Sequence, residues 1–263
     1  EVALYPQERE TFAPHIDDRL SRWFWPLRTG LANRQWFKKS QVERGLAWHE
    51  YGHISREKFV TPLSIGFGEV TTHNHFVLDR GGKVFKQTAP VIKLPAGSSE
   101  DEHLGLLGLL NSSVACFWLK QVCFPKGGDS VGGDGARVRK TLWDERYAFN
   151  ATNVAEFPLP SGRPLALGRT LDTLASDIET CLPAARFRFA AEGSQALPTR
   201  QTLDQMRDRA AGLRRQAVAW QEELDWECYA LYGLVPRDAD TLGYARVPPE
   251  VRLGERAFEI VLA

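Results

Sequence analysis

The pentapeptide His49-Glu50-Tyr51-Gly52-His53 has the H-E-x-x-H spacing of a zinc peptidase. On a helix, residues four apart share a face. His49 and His53 would then reach one Zn²⁺, with Glu50 as general base. The surroundings argue against that helix. Gly52 weakens it, and the flanks Gly45-Leu46-Ala47-Trp48 and Ile54-Ser55-Arg56-Glu57 are poorly amphipathic. Glu69 and His73 are available as a third ligand, but neither stands at a compelling spacing. A zinc site on His49 and His53 is therefore the alternative reading. The simpler one is an aromatic-rich segment that packs or contacts a partner.

His73-Asn74-His75 spells HNH, but the nuclease motif of that name spreads its residues over a ββα metal unit. A polar turn before a strand accounts for these three residues. Gly127, Gly128, Gly132, Gly133 and Gly135 crowd one stretch. It lacks G-K-[ST] and G-x-G-x-x-G, and no strand precedes it, so it reads as a long flexible loop that orders on a partner. Lys120, Lys126, Arg137, Arg139, Lys140, Trp143 and Arg146 lie in or beside it. Lys and Arg neutralise phosphates, and Arg also reads guanine edges, so these residues suit a nucleic-acid groove. Asp129, Asp134, Asp144 and Glu145 dilute the charge. A second basic stretch runs from Arg19 to Lys39 without an acidic residue and includes Trp23, Trp25 and Trp36. The candidate DNA contacts are thus Lys120, Lys126, Arg137, Arg139, Lys140 and Trp143, joined by Arg28, Arg34, Lys38 and Lys39.

Four regions must position these residues. Residues 1–60 form a basic, Trp-rich lead-in. Residues 61–164 read as mixed α/β. Phe76-Val77-Leu78 is a strand, Asp79-Arg80-Gly81-Gly82 a turn, Val84-Phe85-Lys86 a return, and Val91-Ile92-Lys93-Leu94 a further strand. Ser99 and Glu102 make a capping box, and Leu104, Leu107, Leu110 and Val114 continue at helical spacing. The pattern predicts one buried helix from Ser99 to about Val122. Residues 165–235 read as two helices packed antiparallel. One carries Leu171, Leu174 and Ile178. The other carries Leu203, Met206, Ala210, Leu213, Ala217, Trp220, Leu224, Cys228 and Leu231. Residues 236–263 form a C-terminal extension. The expected fold class is α+β: a small mixed sheet with a buried helix, followed by a helical spacer.

Composition constrains function weakly. The 263 residues carry 33 Lys plus Arg and 33 Asp plus Glu, so any DNA-binding face must come from uneven placement of charge. No apolar run is long enough to span a bilayer, and no membrane partner is expected. Cys116, Cys123, Cys181 and Cys228 form no C-x-x-C pair and read as reduced thiols of a cytoplasmic protein. The chain begins at Glu1 and ends on an apolar stretch, which suggests a fragment. No Ser-His-Asp elbow, paired acid cluster, S-adenosylmethionine loop or N-P-P-Y tetrapeptide is present, so no catalytic residue or bound cofactor is expected in this chain.

Three landmarks recur in order: Phe76-Val77-Leu78-Asp79-Arg80-Gly81-Gly82, then Leu106-Leu107-Gly108-Leu109-Leu110-Asn111-Ser112-Ser113 with its continuation to Lys120, then Phe157-Pro158-Leu159-Pro160. This set resembles the target-recognition domains of type IIG-like restriction-modification methylases and type I specificity subunits. With Trp25-Pro26-Leu27-Arg28-Thr29 and Tyr229-Ala230-Leu231-Tyr232-Gly233-Leu234, the nearest branch is the PglX-type methyltransferases of phage-growth-limitation (BREX-type) systems. The resemblance spans roughly residues 20–235.

That resemblance implies the C-terminal, DNA-recognising part of a larger enzyme. The parent would transfer a methyl group from S-adenosylmethionine to adenine N6, flipping the base while this segment grips double-stranded DNA. The implied partners are DNA, an N-terminal methyltransferase domain and other phage-defence proteins. Base-reading residues in such families follow the target sequence and are not transferred here. A further alternative is a protein-interaction module that uses the Leu203–Leu231 stripe.

Overall fold

The computed structural model describes residues 16–36, 38–50, 63–81, 83, 85, 88–127, 145–185, 198–236 and 248. The chain separates into two units, Glu1–Val60 and Thr61–Ala263.

In the first unit, Asp17 caps α1 (Asp18–Phe24), its carboxylate accepting the Arg19 and Leu20 N–H groups. A 3₁₀ turn (Trp25–Leu27) carries Pro26 near its start, where a missing N–H costs nothing. It leads into α2 (Arg28–Ala32). Strands β1 (Gln35–Trp36) and β2 (Lys39–Ser40) form a two-residue hairpin with Trp36 opposite Lys39. Lys38 adopts a φ of 65°, the left-handed conformation such a turn demands.

In the second unit the central strand is β3 (Ser64–Phe67). It pairs antiparallel with β5 (Phe76–Asp79) on one side and β6 (Val91–Ile92) on the other. Strand β4 (Val70–Thr71) pairs antiparallel with β7 (Tyr147–Ala148). The α+β class is as expected. Every described strand pair is antiparallel, however, so the sheet is not mixed. The connection from β3 to β5 is too short for the crossover that a parallel neighbour needs. The return expected at Val84-Phe85-Lys86 lies largely outside the described residues.

The predicted single helix is two: α3 (Glu100–Leu110) and α4 (Ser113–Val122). Helix α3 opens on the expected capping box. Ser99 Oγ accepts the Glu102 N–H at 3.2 Å, and the Glu102 carboxylate accepts the Ser99 N–H at 2.7 Å. These bonds hold the Glu102 carboxyl below its ordinary range. The leucine periodicity runs straight through the break, but polar side chains take over the backbone there. Asn74 Nδ2 donates to the carbonyls of Leu110 (2.7 Å) and Ser112 (3.1 Å). The Asn111 amide pairs with both Phe76 N–H (3.0 Å) and Phe76 C=O (2.9 Å), extending the edge of β5. Ser112 Oγ accepts the Ala115 N–H and starts α4. Thus the helix-terminal groups that would otherwise be orphaned are satisfied.

After α5 (Ala151–Ala155) come α6 (Leu165–Thr180) and α7 (Arg200–Leu231). Leu231, at the end of α7, packs over Gly162 just before α6, so the two run antiparallel. Helix α6 also crosses α3, and glycine sets the spacing. A Cβ on Gly168 would stand 2.5 Å from the Leu104 carbonyl oxygen, and one on Gly108 would press on Pro164. Gly108 in the Leu-Leu-Gly-Leu-Leu run is therefore a close-approach residue. Leu167, Leu224 and Cys228 belong to one core with Ile65, Phe67, Phe76, Leu104, Leu109 and Leu119. Most of the Leu203–Leu231 stripe is half-buried or buried against the chain itself; Leu203 is 37% exposed. Arg80, within the Asp-Arg-Gly turn, bonds Glu100 and Asp172 at 2.6 Å each and so ties β5 to α3 and α6. Among the described residues, no helix is long and apolar enough to cross a membrane.

Candidate nucleic-acid interface

Residues 124–126 and 146–149 form the two sides of a stem. Lys126 N–H donates to Arg146 C=O (2.7 Å), Ala148 N–H to Phe124 C=O (3.1 Å), and Phe149 N–H to Glu69 C=O (2.7 Å). The returning strand is thus held between residues 124–126 and β4. Residues 128–144 leave and re-enter at this stem, and they lie outside the described residues together with Arg137, Arg139, Lys140 and Trp143.

Helix α4 presents a basic and aromatic face beside the stem. Phe117 and Phe124 are 69% and 58% exposed, and Gln121 is exposed between them. Positions 117, 120 and 121 share a face by helical spacing, and Phe124 follows on the stem beyond the end of α4. Lys120 Nζ sits 5.5 Å from the centroid of the Tyr147 ring, a cation–π geometry. Exposed aromatics beside cations are what stacking and phosphate contact use. Lys126 Nζ lies 3.8 Å from Glu69, a surface pair that leaves it accessible.

Two neighbours were read from sequence as a polar turn and not as part of this surface. His73 and His75 stand with ring centroids 4.7 Å apart. Burial, then the charges of His75 and Lys120, lower the His73 pKa. The signal was present in the alternation: exposed His73, buried Asn74, exposed His75. Tyr147 was missed as well, because two of its partners, Lys120 and Thr71, are distant in sequence.

The other sequence candidates fall in the first unit. Arg28 covers the Trp25 ring at 4.7 Å. Arg34 is engaged with backbone: Nη2 donates to Glu50 C=O at 2.6 Å and Nε to Leu31 C=O at 2.9 Å. These bonds hold the turn, and Arg34 stays exposed. Lys38 and Lys39 are exposed on the hairpin. The zinc reading fails at its first requirement, because His49 and Glu50 lie in turns and not on a helix. Glu50 is buried, and its carboxylate accepts the Ala47 N–H at 2.8 Å. His49 is buried with neither ring nitrogen hydrogen-bonded, and its ring meets the Trp48 ring edge-on at 5.2 Å. His53 lies outside the described residues.

Over 98% of its length the chain is 46% identical to "Adenine-specific methyltransferase PglX" from Streptomyces coelicolor (strain ATCC BAA-471 / A3(2) / M145). This chain is homologous to a segment of PglX. It spans 21% of that protein's length. Residues 217–263 also match a family described as a "Domain of unknown function (DUF7008)". That match begins inside α7, so the end of the long helix and the residues after it recur together as a unit in other proteins. The three landmarks of the sequence resemblance lie in a chain matched over 98% of its length, and the structure gives two of them a role. The Asp-Arg-Gly turn carries the Arg80 clamp, and the Leu-Leu-Gly-Leu-Leu-Asn-Ser-Ser run makes the helix break.

The methyltransferase homologue implies S-adenosylmethionine for the parent enzyme, and among the described residues one cavity can be weighed against that group. A described cavity of about 270 Å³ in the first unit is lined by Arg28, Thr29, Ala32, Asn33, Val42 and Trp48. No carboxylate lines it to take up ribose hydroxyls.

Proposed function

We propose that this chain is the C-terminal DNA-recognition segment of a PglX-type enzyme that methylates adenine N6 in double-stranded DNA as part of phage defence. The 46% identity over 98% of the chain to a protein named as an adenine-specific methyltransferase supports this reading. In it, the stem of residues 124–126 and 146–149 presents the glycine-rich loop to the duplex. Lys120, Lys126, Phe117 and Phe124 form the flanking surface, and Arg137, Arg139 and Lys140 contact phosphates or base edges from the loop. S-adenosylmethionine and the methyl-transfer residues belong to a separate domain of the parent, and no methyl-transfer step is assigned to residues of this chain. Other defence proteins are partners of the parent assembly.

The test is duplex binding by the chain, measured by fluorescence anisotropy across a salt series. The reading expects log affinity to fall linearly with log salt. Changing Arg137, Arg139 and Lys140 to alanine reduces that slope by about one for each phosphate no longer neutralised. A folded chain with no duplex affinity at low salt, or a triple variant with unchanged affinity and slope, would overturn it.

A further inference from the structure

We propose that His73, His75 and Lys120 form a proton-gated clamp for a phosphate group, beside the root of the loop. The inference deepens the DNA-recognition reading and rests on it for the identity of the phosphate, which is that of a DNA backbone.

The geometry begins with Asn74. Its side chain is buried and fixed by two hydrogen bonds, to the carbonyls of Leu110 and Ser112. His73 and His75 are both exposed on either side of the buried Asn74. Their rings sit 4.7 Å apart. Thr72 Oγ1 lies 2.8 Å from His73 Nδ1, and the Thr71 hydroxyl donates to the His73 carbonyl. Thr71 is paired with Tyr147, over whose ring Lys120 reaches. Two imidazoles and an ammonium thus converge from the β4–β5 connection and from α4.

Convergence of like charges is unfavourable without a counter-ion. Burial, then His75 and Lys120, lower the His73 pKa. The remaining charged groups on the packed elements are Glu69, Lys126, Glu145 and Arg146. Glu69 pairs with Lys126 at 3.8 Å. A phosphate bound at the clamp supplies the missing negative charge. It accepts hydrogen bonds from protonated imidazole and from Lys120, and it thereby raises the His73 pKa. Affinity for phosphate then rises as pH falls through the histidine range.

Two measurements on the 263-residue chain test this. First, histidine ring NMR shifts are followed against pH with and without inorganic phosphate. His73 should titrate at higher pH when phosphate is present. Second, duplex affinity is compared at pH 5.5 and pH 7.5 for the wild type and for a His73→Gln, His75→Gln double variant. The wild type should bind roughly tenfold more tightly at the lower pH, because a histidine pKa raised by about one on binding strengthens affinity by about a factor of ten. The variant should lose most of that difference. Unmoved histidine titrations overturn the clamp, as does an identical pH dependence in the variant. In either case measurable duplex affinity leaves DNA recognition standing. Shifted titrations with no duplex affinity keep the anion site and remove DNA as its source.

Discussion

The carboxylate of Asp225, on α7, accepts both the backbone N–H (2.7 Å) and the hydroxyl (2.6 Å) of Ser113, the first residue of α4. Asp225 is 1% exposed, and 112 residues separate the partners. Gln221, one turn earlier, donates to the Asn111 carbonyl and to Asp225. The long helix therefore holds the break between α3 and α4, which in turn sets where α4 points Lys120 and Phe117.

Replacing Asp225 with alanine leaves a buried N–H and hydroxyl without their acceptor. The expected loss of unfolding free energy is about 2–3 kcal/mol. Asp225→Asn retains one acceptor oxygen and should lose less. Urea denaturation of the three proteins checks the order, and an alanine variant as stable as the wild type would remove the network's structural role.

Gly168→Ala sets two effects against each other. Alanine gains about 1 kcal/mol of helix propensity over glycine. Its Cβ would stand 2.5 Å from the Leu104 carbonyl oxygen, in backbone that cannot move without separating α3 from α6. Overpacking of this kind costs roughly 1–3 kcal/mol, so a net loss is expected. Thermal unfolding reads it directly, and a raised melting temperature would show that the two helices separate freely.

Much of this arrangement was legible in the sequence. Ser99 and Glu102 announced the start of α3, and the apolar steps announced α6 and α7. The break at Asn111-Ser112 was hidden because the leucine spacing continues across it, and the groups that stop the helix come from Asn74, Phe76 and Asp225, far away in sequence. Strand β3 was hidden for a different reason. All four of its residues are buried, so Ser64-Ile65-Gly66-Phe67 shows no alternation. Of the site, the basic residues were visible by type. The pairing of His73 with His75 depends on Asn74 being anchored across the fold.

Cys228 is fully buried, and burial pushes its thiol up to about 12. A folded-state pKa above the unfolded one gives a contribution that is intact below the unfolded value. It is lost as pH rises from about 9 toward 12. At pH 10 the loss from this one group is about 1–2 kcal/mol relative to pH 8. Burial also raises the Tyr232 pKa, and that group acts in the same direction. Urea midpoints at the two pH values should converge for Cys228→Ala more than for the wild type. Equal pH sensitivity in both proteins would refute the assignment to Cys228.

His49 tests the zinc alternative from the opposite side. A buried imidazole with no hydrogen-bond partner is a cost to the fold. His49→Leu, of similar volume, should therefore be neutral or more stable by about 1 kcal/mol, with unchanged zinc content. Loss of stoichiometric zinc together with stability in that variant would restore a metal role.

The central claim is that this segment chooses the DNA site of a PglX-type methyltransferase. The most direct measurement is the adenine-methylation motif of the parent enzyme after residues 128–144 are exchanged for those of a relative with a different target. Sequencing that reads N6-methyladenine across the genome reports the motif. A methylated motif that moves with the exchanged segment is the predicted result. A chimera that still methylates adenine at the original motif would contradict the account.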